Sequence, residues 1–173
     1  MKKVLLFFAL IVGISVAEAQ EPLSYEFVIQ KDGVTAVQIY NQLVDWIATN
    51  FKAVDGDFYR DKEEKVITKD VMIDFATGRL TLICYDGHIR YKLKFQCRDG
   101  RFRVQMTNFE HSVNPGNNAG CALGLILDKP QRLHNGSFDE RAWEKIKETT
   151  DAEANRLRQQ LESMTFDSKN DDW

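Results

Sequence analysis

The stretch YKLKFQCRDGRFRVQMTNF, Tyr91 to Phe109, decides the fold. Apolar and polar residues alternate on both sides of Asp99-Gly100, the period of a half-buried strand. Asp-Gly is a favoured two-residue hairpin turn because glycine adopts positive φ without a Cβ clash. That turn fixes the register. Cys97 faces Phe102, Phe95 faces Val104, Leu93 faces Met106 and Tyr91 faces Asn108. The first three pairs are apolar on both sides, as one buried face requires. Asp86-Gly87 reads as a second such turn, which makes Leu80 to Tyr85 a preceding strand with Leu80, Leu82 and Cys84 inward. Its register sets Leu82 opposite Tyr91 and Leu80 opposite Leu93.

Working outward, Lys65 to Phe75 alternates as a longer strand, with Ile67, Val71, Ile73 and Phe75 on one face. Phe58 lies in a short strand before it. Pro22 to Gln30 reads as a first strand with Leu23, Tyr25, Phe27 and Ile29 inward. Thr35 and Gln38 have capping-box spacing and open a helix whose apolar residues recur at helical period, from Ala36 and Ile39 to Trp46, Ile47 and Phe51. Trp46 is the expected anchor of that helix. Residues 112–136 read as a loop-like insertion around Asn114-Pro115-Gly116, with an apolar patch, Cys121 to Leu127, fit to dock on the core. A second helix starts at Ser137, with capping-box spacing to Glu140. It carries a buried stripe of Ala142, Ile146, Thr150, Ala154, Leu157, Leu161 and Met164. The tail from Phe166 to Trp173 is polar and expected to be loose. One α+β domain over 20–165 follows: an antiparallel β-sheet of about five or six strands with two helices packed on one face.

Residues 1–19 carry the three parts of a secretory signal: Lys2 and Lys3, an apolar run from Val4 to Val16, and small residues at Ala17 and Ala19. Cleavage after Ala19 and export to the periplasm or extracellular space are expected, with no transmembrane span left afterwards. The chain has a formal net charge of −3, too mild to imply a polyanion partner globally. An odd number of cysteines without a C-x-x-C excludes a zinc cluster or thioredoxin-type motif. The strand reading sets Cys84 and Cys97 about 25 Å apart, beyond the roughly 7 Å a disulfide allows. Buried free thiols are therefore expected, with Cys121 the available partner for either.

This order of elements resembles an exported bacterial family of unknown function with a TATA-binding-protein-like fold. The resemblance rests on the signal peptide, the Tyr40-x5-Trp46-Ile47-x3-Phe51 helix and the Tyr91–Phe109 hairpin, and it covers roughly residues 23–111. It implies the fold. It brings no activity, cofactor or catalytic residue, and the fold name implies no DNA binding.

No P-loop, G-x-G-x-x-G, H-E-x-x-H or G-x-S-x-G is present. No carboxylate pair sits on opposed elements where one pKa would rise. The reading is a non-catalytic domain without cofactor or metal. Outward positions of the hairpin are His88, Arg90, Lys92, Lys94, Gln96 and Arg98, then Arg101, Arg103, Gln105, Thr107, Phe109 and His111. Asp70 and Asp74 on a neighbouring strand offer partial neutralisation. The candidate ligand-binding residues are Tyr85, Arg90, Lys92, Lys94, Arg101, Arg103 and Phe109. Such a face suits an anionic glycan, a lipid head group or an acidic protein; export argues against nucleic acid. His88 and His111 fall opposite each other but lack the third ligand a zinc site needs. A structural or interaction subunit of a cell-envelope assembly is the alternative reading, with an enzyme third.

Overall fold

The computed structural model describes residues 20–54 and 56–166. The signal segment and its expected cut lie outside them. A six-stranded antiparallel sheet is built from β1 (Tyr25–Gln30), β2 (Tyr59–Asp61), β3 (Val66–Phe75), β4 (Gly87–Arg98), β5 (Arg101–Val113) and β6 (Gly124–Leu125). Strand order is β1-β5-β4-β3-β2, with β6 on β5. Helices α1 (Ala36–Asn50) and α2 (Ser137–Ser163) pack against one face. The other face is open.

Each element follows from local chemistry. The Thr35 hydroxyl accepts from the Gln38 N–H, and Gln38 Oε1 accepts from the Thr35 N–H at 3.0 Å, the reciprocal cap that starts α1. Ile39, Tyr40, Leu43 and Ile47 bury one face of α1. Trp46 is only half-buried, set edge-on to Phe95 and Phe51. The Asp99-Gly100 turn forms with Gly100 at φ +73°, and Cys97↔Phe102, Phe95↔Val104 and Leu93↔Met106 pair as the turn dictates. Phe95, Phe102, Val104, Leu93 and Met106 are fully buried.

Three expectations are corrected. Leu80–Tyr85 is a 3₁₀ helix, not a strand. Its place beside β4 belongs to β3, which pairs with β4 along its whole length, from Val66↔Gln96 to Phe75↔Gly87. Leu82 and Tyr85 are buried, but Leu80 is 88% exposed. Gly87 is therefore not a turn residue; it opens β4. A Cβ there would sit 2.0 Å from the Ser112 carbonyl oxygen, so glycine is required for close approach of β5, not for positive φ. Second, Ser137 does not cap α2. Gly136, at φ +58°, precedes the helix without a side-chain cap, and Ser137 is its first residue. Third, Phe166, the first residue of the expected tail, packs on Phe102 and under the Lys31 ammonium, while residues 167–173 lie outside the described residues.

The cysteines split. Cys84 and Cys121 form a disulfide, with their Cα atoms 5.9 Å apart, and Cys97 is a buried free thiol. Cys84 joins Cys121 because the 3₁₀ helix carries it off the sheet toward the insertion. Burial pushes the Cys97 thiol up to about 12. The apolar patch of the insertion docks as expected. Cys121, Leu123 and Ile126 are buried, and Ile126 accepts from Leu23 N–H and donates to the Phe109 carbonyl, both at 2.8 Å.

Candidate functional site: the open sheet face

A β-bulge decides what this face displays. Pairing shifts by one residue between Arg90 and Lys92, and Asn108 takes φ +56°, a left-handed conformation asparagine tolerates better than most residues. Tyr91 therefore does not simply face Asn108. Beyond the bulge every β5 side chain changes face. Phe109, expected outward, is fully buried, stacked on Tyr91 with centroids 5.1 Å apart and edge-on to Tyr25 at 5.5 Å. His111 is buried too, while Glu110 turns outward opposite Arg90. His88 pairs with Ser112, so the two histidines stand on opposite faces and share no site.

Tyr85 is also excluded from the surface. Its hydroxyl donates to Asp139 Oδ1 at 2.7 Å beneath the start of α2. Burial and the neighbouring carboxylate push it up to about 12. Burial alone would raise the Asp139 pKa. Hydrogen bonds from Tyr85 and from the Asn135 and Leu133 N–H groups outweigh it and hold the carboxyl below its ordinary range. Deeper along α2, Tyr91 donates to Glu153 at 2.8 Å, and Arg156 holds the same carboxylate through two nitrogens at 2.7 and 2.8 Å. The His111 ring accepts from Leu123 N–H at Nδ1, so Nε2 carries the proton facing the Tyr85 carbonyl at 2.8 Å. Burial lowers its pKa and keeps it neutral. These polar groups serve helix docking.

Arg90, Lys92, Lys94, Arg101 and Arg103 do reach the open face, joined by Arg98. Acids counter some of them. Lys92 pairs with Asp70 at 2.8 Å, His88 with Asp74 at 3.1 Å and Arg103 with Glu26 at 3.5 Å. Glu26 comes from β1, whose Val28 and Gln30 lie directly beside Arg103 and Arg101. Arg90, Lys94, Arg98 and Arg101 make no ion pair among the described residues. Arg90 has Glu110 as its cross-strand neighbour, but Arg98 faces Arg101, whose other neighbour is the uncharged Gln30. The carboxylate between them in sequence, Asp99, is occupied with the Ala36 N–H at 2.7 Å. At the hairpin end Arg98, Arg101 and Arg103 surround a shallow depression of about 270 Å³ with Val28 and Gln96 in its lining. Sequence reasoning placed Arg98 outward without making it a candidate, and missed Glu26 and Glu110. The position of Glu26 depended on which edge β1 would take, and that of Glu110 on the bulge.

The geometry defines a class: an α+β domain with a helix-covered sheet face and an open, unevenly charged one. The chain belongs to the family described as a domain of unknown function (DUF4468) with TBP-like fold, matched over residues 25–112. It is similar to a TBP-like protein from Parabacteroides distasonis, at 12% identity and a TM-score of 0.56 over 83% of this chain and 95% of that one. A DUF4468 family protein from Bacteroides ovatus is also similar, at 12% identity and a TM-score of 0.49 over 84% and 88% of the two chains. No curated protein matches the sequence.

Proposed function

We propose that the protein is an exported, non-catalytic interaction domain that binds an anionic partner at the hairpin end of its open sheet face. One observation carries this reading. Toward the middle and far end of the face, acids stand among the bases, whereas Arg98 and Arg101 are set opposite each other and make no ion pair among the described residues. Like charges in direct cross-strand register destabilise a hairpin. A bound oxyanion relieves that repulsion, and guanidinium groups match carboxylate, sulfate and phosphate geometry through paired N–H donors. The exposed Val28 adds one apolar group to the lining of the depression.

A second reading, an interaction subunit of an envelope assembly, draws on the 3₁₀ helix. Leu80 and Ile83 are exposed there. The segment is held by the disulfide and by Asn117, whose amide donates to the Ile83, Cys84 and Asp86 carbonyls.

The test is binding of residues 20–173 to a sulfated polysaccharide, phosphatidylglycerol vesicles and polyglutamate over a salt series. Arg98→Gln, Arg101→Gln and Arg103→Gln together should weaken binding about tenfold, three exposed contacts at about 0.5 kcal/mol each. Lys92→Gln, outside the arginine-lined depression and paired with Asp70, should change it less than about twofold. Binding by the triple variant equal to that of the unmodified protein overturns the reading.

A further inference from the structure

The sheet has an unfinished edge, independent of the arginine cluster. β2 pairs only with Val66, Ile67 and Thr68 of β3. Continued in register, Phe58 would face Lys69 and Asp57 would face Asp70. The ladder ends at Tyr59 instead, and Phe58 is buried, 8% exposed. Between the Gly56–Tyr59 segment and Thr68, Asp70 and Lys92 lies an open depression of about 420 Å³. From Asp70 to Phe75, β3 is paired with β4 on one side and with no strand among the described residues on the other. Alternate residues of a strand turn both N–H and C=O to the same side, so six residues offer about three donors and three acceptors to that vacancy.

Native edges are ordinarily blunted by shortness, bulges, proline or charged side chains. This one has neither bulge nor proline. Its side chains define what fits. On the open face stand Asp70, Met72 and Asp74, with Met72 58% exposed and the Asp74 side chain 96% exposed. Both carboxylates draw their basic partners, Lys92 and His88, from β4, and neither makes a second ion pair among the described residues. On the helix face stand Val71, Ile73 and Phe75, and Ile73 is half-buried. An added strand would set one row of side chains beside carboxylates and the other beside aliphatic and aromatic groups. A second copy of this chain fits poorly. Centred on Met72 it sets Asp70 against Asp74 twice, like charges directly opposite, and centred on Ile73 it sets Met72 against Asp74, so neither register offers the carboxylates a base.

We propose that Asp70–Phe75 is a strand-addition site for an extended segment of another protein in which basic and apolar residues alternate. Main-chain hydrogen bonds supply the attachment, and the alternating rows supply selectivity. The probe is a synthetic peptide alternating Lys and Val, added to residues 20–173 and followed by amide hydrogen exchange. Alternate amides between Asp70 and Phe75 should exchange about tenfold more slowly. A peptide N-methylated along its pairing edge, and one with Glu for Lys, should give no protection. Asp74→Lys, a fully exposed change that leaves the core intact, should weaken the Lys/Val peptide about fivefold. Four results overturn the proposal: no protection at the edge; equal protection by the Glu peptide; protection in the monomeric protein without peptide, which means its own chain covers the edge; or protection that grows with protein concentration alone, which means a second copy does.

Discussion

Arg101→Glu should make the protein more stable and less able to bind anions. Arg98 and Arg101 are the Cα pair that closes the hairpin, and both are exposed. With the guanidinium groups splayed to about 8 Å in water, their repulsion is about 0.5 kcal/mol. Reversing one charge converts it into an attraction of about the same size, a swing of about 1 kcal/mol at low salt. The Debye length shrinks to about 8 Å at physiological ionic strength, which cuts the gain to a few tenths of a kcal/mol. For a domain of this size, about 1 kcal/mol corresponds to a melting shift of about 2–4 °C. The assay is thermal unfolding in about 10 mM and about 500 mM salt, where the Debye lengths are about 30 Å and about 4 Å. Polysaccharide binding is measured on the same samples. Higher Tm at low salt, a shrinking advantage at high salt and weaker binding are expected together. A variant that is no more stable at low salt, or whose gain ignores salt, refutes the view that this turn stores uncompensated repulsion. Stabilisation with full binding retained would separate the strain from the site.

Asp139→Asn leaves Tyr85 and two backbone N–H groups without their charged acceptor, a loss of about 2–3 kcal/mol read as a lower urea midpoint. The pKa of Asp139 is depressed in the folded state, so its stabilisation is present above the ordinary value of 3.8 and lost as pH falls through the folded value. Between about pH 5 and pH 2 the variant's urea midpoint should therefore fall less steeply than that of the unmodified protein. Replacing Cys84 and Cys121 with serine opens a loop of sequence separation 37. It should cost about 4 kcal/mol of unfolding free energy on the chain-entropy account. Chemical denaturation of oxidised, reduced and serine forms checks this, and an unchanged midpoint would mean the insertion docks through Leu123 and Ile126 alone.

Much of the fold was legible because several signals pointed the same way. Asp99-Gly100 specifies one turn geometry, and the alternation on both sides allows only the register that buries Phe95 and Val104. The Thr35–Gln38 cap and the Ile39, Leu43, Ile47 period agree on the start and the buried face of α1. Where one signal stood alone, it misled. Asp86-Gly87 has the composition of a hairpin turn, but glycine there answers to the approach of Ser112. No local signal says that β4 already has both neighbours, because that depends on β3, at least twelve residues upstream. Ser137 likewise has cap spacing, yet Asp139 bonds the preceding N–H groups while Gly136 turns the chain.

The bulge at Asn108 left a trace that alternation alone overrode. Continued without a break, the register from Asp99-Gly100 sets an aromatic Phe109 in water and a polar Asn108 in the core. One extra residue, placed at the side chain in this stretch best suited to positive φ, repairs both at once. The consequence for function is larger than one misplaced aromatic. The unbroken register puts bases and no acid on the outward face of the hairpin from His88 to Arg103, a stripe with no preferred end. The bulge brings Glu110 out opposite Arg90, and Glu26 arrives beside Arg103 with β1. What had looked like a stripe becomes a gradient with its positive pole at Arg98 and Arg101. A diffuse basic face would lose affinity evenly as any of its charges is removed. A pole predicts that the loss depends on position, steep at the hairpin and shallow at Arg90 and Lys92.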